Sequence, residues 1–168
     1  MQHPDELLDQ VDDQNRVIGR GRRSEVYRAG SVGFRVVNAF LVNPAGQLWI
    51  PRRAATKRLF PLCLDASMGG HVASGETYEE ALRRELREEL NLDLDGVDWR
   101  LRGYLSPWVH SVSAFMKVYA IATDRAPAYN PDDFVEAFWW SPDQVLTRIA
   151  SGDRAKDDLP KLIRLLFV

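Results

Sequence analysis

Between Thr77 and Leu92 the apolar and charged positions recur with a helical period. At about 100° per residue, Leu82, Leu86 and Leu90 fall on one stripe. Glu85, Glu88 and Glu89 fall on an adjacent stripe, at i, i+3 and i+4. No Pro or Gly interrupts the segment, and Ala, Leu, Glu and Arg favour helix. Thr77 and Glu80 form a capping box at its start. Asn91 tolerates a left-handed stop, with Leu92 placed to pack back on the last turn.

Elsewhere the pattern alternates or runs apolar. Residues 7–12 and 16–21 predict two short strands around the turn Asp13-Gln14-Asn15, and residues 24–29 a short helix ending at Gly30. Residues 33–42 predict a strong strand, since Phe34, Val36, Val37, Phe40, Leu41 and Val42 are all β-formers. Asn43-Pro44-Ala45-Gly46 is a turn, after which residues 48–51 return as a hairpin. Residues 97–105 and 113–123 predict two further strands, and residues 124–135 a loop rich in Asp and Pro. A further helix is capped by Ser141, with Pro142 at its first position and Gln144 closing the box. That helix ends near Gly152, and residues 160–167 predict the last one. The order of elements indicates an α/β domain with a mixed sheet.

The bulk properties narrow the picture. At 168 residues the chain suits one well-buried domain, and 45% hydrophobic content argues for a folded globule. A net charge of −2 argues against a general nucleic-acid binder. An anionic small substrate would therefore need a local basic pocket or a bound cation. The single cysteine, Cys63, excludes an internal disulfide and fits a reducing cytoplasm. The acidic opening MQHPDELLDQ has no apolar core of signal-peptide length. No apolar run approaches the roughly 20 residues that span a bilayer.

Three carboxylates gathered on one helix face repel one another unless something cationic lies between them. Arg83, Arg84 and Arg87 can do part of this, which would leave an ordinary solvated helix. A hard divalent ion does it better, because carboxylate oxygens are the ligands Mg²⁺ selects. Upstream, Gly70 precedes Glu76 by five intervening residues; seven more lead to Arg84-Glu85, then Leu86, one spacer, Glu88 and Glu89. This loop and helix resemble the signature box of the Nudix hydrolases at every specified position except the last glycine, which is Asn91 here. The resemblance implies a Nudix α/β/α sandwich over residues 31–168. Residues 1–30 would form a small N-terminal β extension, similar to the lead-in of Nudix proteins related to isopentenyl diphosphate isomerase. Such an extension would offer a dimer contact, leaving monomer and homodimer both open.

The same resemblance implies a metal-dependent hydrolase that cleaves a phosphoanhydride bond of nucleoside di- or triphosphates or related nucleoside diphosphate derivatives. Glu85, Glu88 and Glu89 would hold Mg²⁺ or Mn²⁺, with the Gly70 carbonyl as a further ligand. Arg84 would orient Glu76 and the neighbouring carboxylates. Glu89 is the first choice of general base, with Asp132, Asp133 and Glu136 as further candidates. The basic run 52–58 reads either as a solvated charge run or as a phosphate clamp through Arg53 and Lys57. Trp108 reads as core packing or as a platform for a nucleobase.

Three alternatives stand beside this reading. Pro107 lies fifteen residues beyond Leu92, a spacing associated with ADP-ribose pyrophosphatases. An isopentenyl diphosphate isomerase would need a cysteine where Gly69 stands, near a metal-binding histidine in the place of His71. Cys63 is six residues too far upstream and reads as a small buried hydrophobe. A nucleotide-binding module without activity would usually lack a box carboxylate, and none is missing. Asp65, Trp108, His110, Tyr129 and Phe134 are unranked candidates for lining a pocket.

Overall fold

A computed structural model describes residues 4–168. The acidic opening thus falls partly on residues 1–3, outside the described residues. An antiparallel pair comes first: β1 (Leu7–Val11) and β2 (Val17–Arg22), followed by α1 (Arg23–Arg28). The main sheet contains β3 (Arg35–Val42), β4 (Leu48–Arg53), β5 (Met68–His71), β6 (Trp99–Leu105), β7 (Phe115–Ala122) and β8 (Phe134–Trp140). Between them run α2 (Tyr78–Leu90) and the one-turn α3 (Pro107–His110), and α4 (Pro142–Ala150) and α5 (Leu159–Leu166) close the chain.

The sheet order is β6-β7-β3-β4-β8, with β5 also pairing β3. Only β3 and β7 run parallel among the paired strands, so the sheet is mixed. Two strands meet β3 on the edge away from β7: β5 pairs with Val36 to Ala39, while β4 joins at Val42. The fork matters for the site because it places Gly70 opposite Val37, in mid-sheet beneath α2.

Strand alternation divides the interior into two layers. Val37, Ala39 and Leu41 of β3 join Tyr119 and Ile121 of β7 in one core, which α2 covers with Leu82, Leu86 and Leu90. Phe40 of β3 joins Leu48, Ile50, Met116 and Val118 in the other, which α4 and α5 cover with Val145, Leu162 and Ile163. This is the α/β/α sandwich expected from the sequence. A third small cluster of Leu8, Val26, Phe34 and Ala114 fastens the N-terminal pair and α1 to the sheet. Among the described residues, no helix is long and apolar enough to cross a membrane.

The structure corrects several local expectations. Arg52 and Arg53 belong to β4, not to a loop, because β8 pairs along this strand to its end. β8 correspondingly begins at Phe134, inside the stretch read as loop. Residues 68–71, given no element from sequence, form β5. Residues 106–110, read as a connection, contain α3, with Pro107 at its first turn and the His110 ring accepting from the Ser106 amide at 3.0 Å. Each correction comes from a pairing partner distant in sequence or from a turn too short to show a period.

Candidate active site

The site begins with how α2 is held. The Thr77 hydroxyl accepts from the Glu80 amide, and the Glu80 carboxylate accepts from the Thr77 amide. Asn91 takes the left-handed stop, φ 50° and ψ 36°. The Leu92 amide then bonds back to Leu86 O at 3.2 Å, and Leu92 packs on the core. Asn therefore does here what glycine does at most such helix ends.

Arg84 is the hub. Its Nε lies 2.8 Å from Glu76 Oε2, and one terminal nitrogen reaches Glu76 Oε1 at 2.9 Å and His71 O at 3.0 Å. The other terminal nitrogen donates to Glu85 Oε1 at 2.7 Å and lies 3.6 Å from Glu88 Oε2. A planar guanidinium can serve these acceptors together because its five donors form a rigid fork. Burial raises the Glu76 carboxyl, but Arg84 and the Ala73 amide outweigh that and hold it below its ordinary value.

Arg84 is bonded to Glu85, whereas Glu89 has only the more distant charge of Lys57 to oppose its burial. Glu85 and Glu89 are buried, at 3% and 7% exposure. Burial pushes the Glu85 carboxyl up to about 7, against the pull of Arg84 and with a further push from Glu88 and Glu6. Burial also holds Glu89 well above its ordinary value, and the charges of Glu85, Asp133 and Asp65 add to this, with Lys57 opposing. Among the described residues no hydrogen bond or ion pair reaches the Glu89 carboxylate; only its backbone is engaged, accepting from the Asn130 amide at 2.7 Å. An unpartnered buried acid is costly to keep unless something outside the chain completes it.

Gly70 supplies a second indication. A Cβ built there would lie 2.1 Å from Glu85 Cδ, so only glycine lets the strand approach this carboxylate. Buried hard oxygen donors and open backbone beside them suit a divalent ion. Among the described residues no three His, Cys, Asp or Glu side chains stand ready to hold a metal as they lie. Arg84 fills the gap between Glu85 and the exposed Glu88, so these side chains would have to re-form around any ion held there.

The remaining candidates separate. Arg53 lies 2.8 Å from Asp65 and also donates to Leu59 O, and Lys57 is ion-paired with Asp133. Both bases thus neutralise the acids that press on Glu89, a pairing no local pattern could reveal. Glu136 is taken by Arg52, which also binds Asp153 at 2.8 Å. Asp132 is exposed, while Tyr129 and Phe134 pack with Trp49. Trp108 is 53% exposed on α3 with its ring 5.4 Å from Phe115. Among the described residues no hydrogen bond, ion pair or ring contact joins it to the box acids.

His71 faces the N-terminal unit, with Nε2 2.8 Å from the Tyr27 hydroxyl and Nδ1 3.5 Å from Glu6. Cys63 is buried. A Cβ at Gly69 would meet Asn38 Oδ1 at 2.8 Å, so an isomerase cysteine has no ready place there. Glu6 was not singled out from sequence, since nothing near it marks a neighbour 65 residues away.

Comparison with known proteins agrees with this architecture. The family model described as NUDIX domain matches residues 34–160. An uncharacterized Nudix hydrolase of Nostoc sp. strain PCC 7120 is 57% identical over 162 residues, covering 96% of each chain. The crystal structure of a Deinococcus radiodurans protein superposes with a TM-score of 0.92 at 48% identity, covering 97% of this chain and all of that one. More distantly, an isopentenyl-diphosphate Delta-isomerase of Kocuria rhizophila is 25% identical over 150 residues, covering 86% of this chain and 83% of that one. With its box helix, its forked mixed sheet and these relatives, the chain belongs to the Nudix hydrolase family, enzymes that act on nucleoside diphosphate derivatives.

Proposed function

We propose that the protein is a Mg²⁺- or Mn²⁺-dependent hydrolase that cleaves a phosphoanhydride bond in nucleoside di- or triphosphates or in related nucleoside diphosphate derivatives. The observation that carries this reading is Glu89: a buried carboxylate with no protein partner, flanked by Glu85, Asp65 and Asp133.

Glu85, Glu88 and Glu89 would hold the ion, with the Gly70 backbone beside them. A bound dication supplies charge neutralisation on phosphate oxygens and a lowered pKa for an attacking water. Glu89 would be placed to take a proton from the attacking water. Arg84 keeps Glu85 in place and is itself fixed by Glu76 and the His71 carbonyl. Arg53 and Lys57 contribute to phosphate binding by turning from Asp65 and Asp133 toward the incoming anion. A divalent ion near those acids makes the exchange cheaper, since it takes over part of their neutralisation.

The test is a panel of nucleoside diphosphates, triphosphates and nucleotide sugars, incubated with Mg²⁺ or with chelator, and product identification. Release of phosphate, pyrophosphate or a nucleoside monophosphate that stops on chelation supports the reading. Tight nucleotide binding without any product after long incubation would replace it with a binding module.

A further inference from the structure

We propose that the N-terminal unit, β1 through α1, is a positioning brace for the metal site: Glu6 and Tyr27 grip the two ring nitrogens of His71 and so fix the strand that meets Arg84 and Glu85. The inference rests on the metal reading above and adds residues that the box does not contain.

Three sets of contacts carry it. First, His71 follows Gly70 in β5, and successive side chains of a strand point to opposite faces. Gly70 therefore faces Glu85 while the His71 ring is turned to the N-terminal unit. The ring lies 5.7 Å from Tyr27 and 5.8 Å from Phe34.

Second, the polar contacts agree in direction. A neutral imidazole donates from one nitrogen and accepts at the other, and a carboxylate only accepts. Nδ1–H is then the side turned to Glu6, and Nε2 accepts from the Tyr27 hydroxyl at 2.8 Å.

Third, β1 is laid along the loop that leads from His71 to Glu76. Leu8 bridges Ala73, the Ser74 amide donates to Leu7 O at 2.8 Å, and Asp9 accepts from the Ser74 hydroxyl at 2.7 Å and the Gly75 amide at 3.2 Å. Ala73 to Gly75, which lie between the His71 carbonyl and Glu76, the two groups that hold Arg84, are thus pinned from the N-terminal side. Partners that orient metal-binding groups typically change metal affinity 10- to 100-fold when removed.

Tyr27→Phe and Glu6→Gln keep shape and remove one grip each. Mn²⁺ titration of the full chain, followed by the free-ion electron paramagnetic resonance signal, compares the parent, both variants and the double variant. Thermal midpoints are recorded beside it. The brace requires each single variant to weaken Mn²⁺ binding at least about tenfold, with the double variant weaker by less than the product of the two. Parent-like Mn²⁺ affinity in all three variants overturns it, even where the midpoint falls, because the contacts would then serve folding alone. Should the parent itself bind no Mn²⁺, the metal reading fails and amide exchange judges the brace. Faster exchange at His71 and Val72 in Tyr27→Phe supports it; unchanged exchange overturns it.

Discussion

Glu89 is largely buried and, among the described residues, has no side-chain partner, and this has a measurable cost. In the unfolded chain its proton leaves near the ordinary glutamate value of 4.5; in the folded, metal-free protein it leaves at a higher pH. Between those values the folded state holds more protons than the unfolded state, so raising the pH favours unfolding. Glu89→Gln has no proton to lose. In chelator, its stability relative to the parent should therefore rise as the pH goes from about 5 to about 8, measured by urea unfolding at each pH. A stability difference that stays constant across that range would place Glu89 in a solvated environment. Gly70 makes the complementary case. Gly70→Ala puts a methyl group on the Glu85 carboxylate, and overpacking of this kind costs about 1–3 kcal/mol. It should also lower Mn²⁺ affinity at least about tenfold by titration, since a displaced ligand cannot be replaced from the surface.

At the scale of the element, α2 is the part of the molecule most legible in sequence, and the reason is locality. Its cap, its leucine stripe, its left-handed stop and its acidic stripe are all set by residues within four positions of one another. Two substitutions should separate its supports. Leu86 is fully buried between α2 and the sheet, so Leu86→Ala should cost about 2–5 kcal/mol in urea unfolding. Thr77→Ala removes one capping bond and should cost about 1 kcal/mol. Loops and strand ends were less legible. Arg53 and Lys57 stood out as basic residues, but their partners Asp65 and Asp133 are fixed by tertiary pairing. β5 is four residues long and contains two glycines, so neither propensity nor alternation marks it; its pairing with β3 does. The Glu6 to His71 contact joins segments whose sequence gives no sign of the other.

For the whole molecule, the two-sided core explains why a site can afford uncompensated charge. The layers on either face of the sheet carry the stability, and the acids of α2 are held at the boundary of one of them. The N-terminal unit adds a third, smaller cluster and reaches the loop that precedes the box. A ligand that binds only the folded state should then stabilise the entire chain: about 2.7 kcal/mol at a free Mn²⁺ concentration 100 times its dissociation constant, reversed by chelator, in a thermal scan. The most direct single measurement is the rate of nucleotide hydrolysis in Mg²⁺ by Glu89→Gln against the parent, with the best substrate of the panel. On the proposed mechanism Glu89 helps hold the ion and takes the proton, so this variant should lower turnover at least about 10²-fold. A variant as fast as the parent would contradict the assignment of this carboxylate to the reaction.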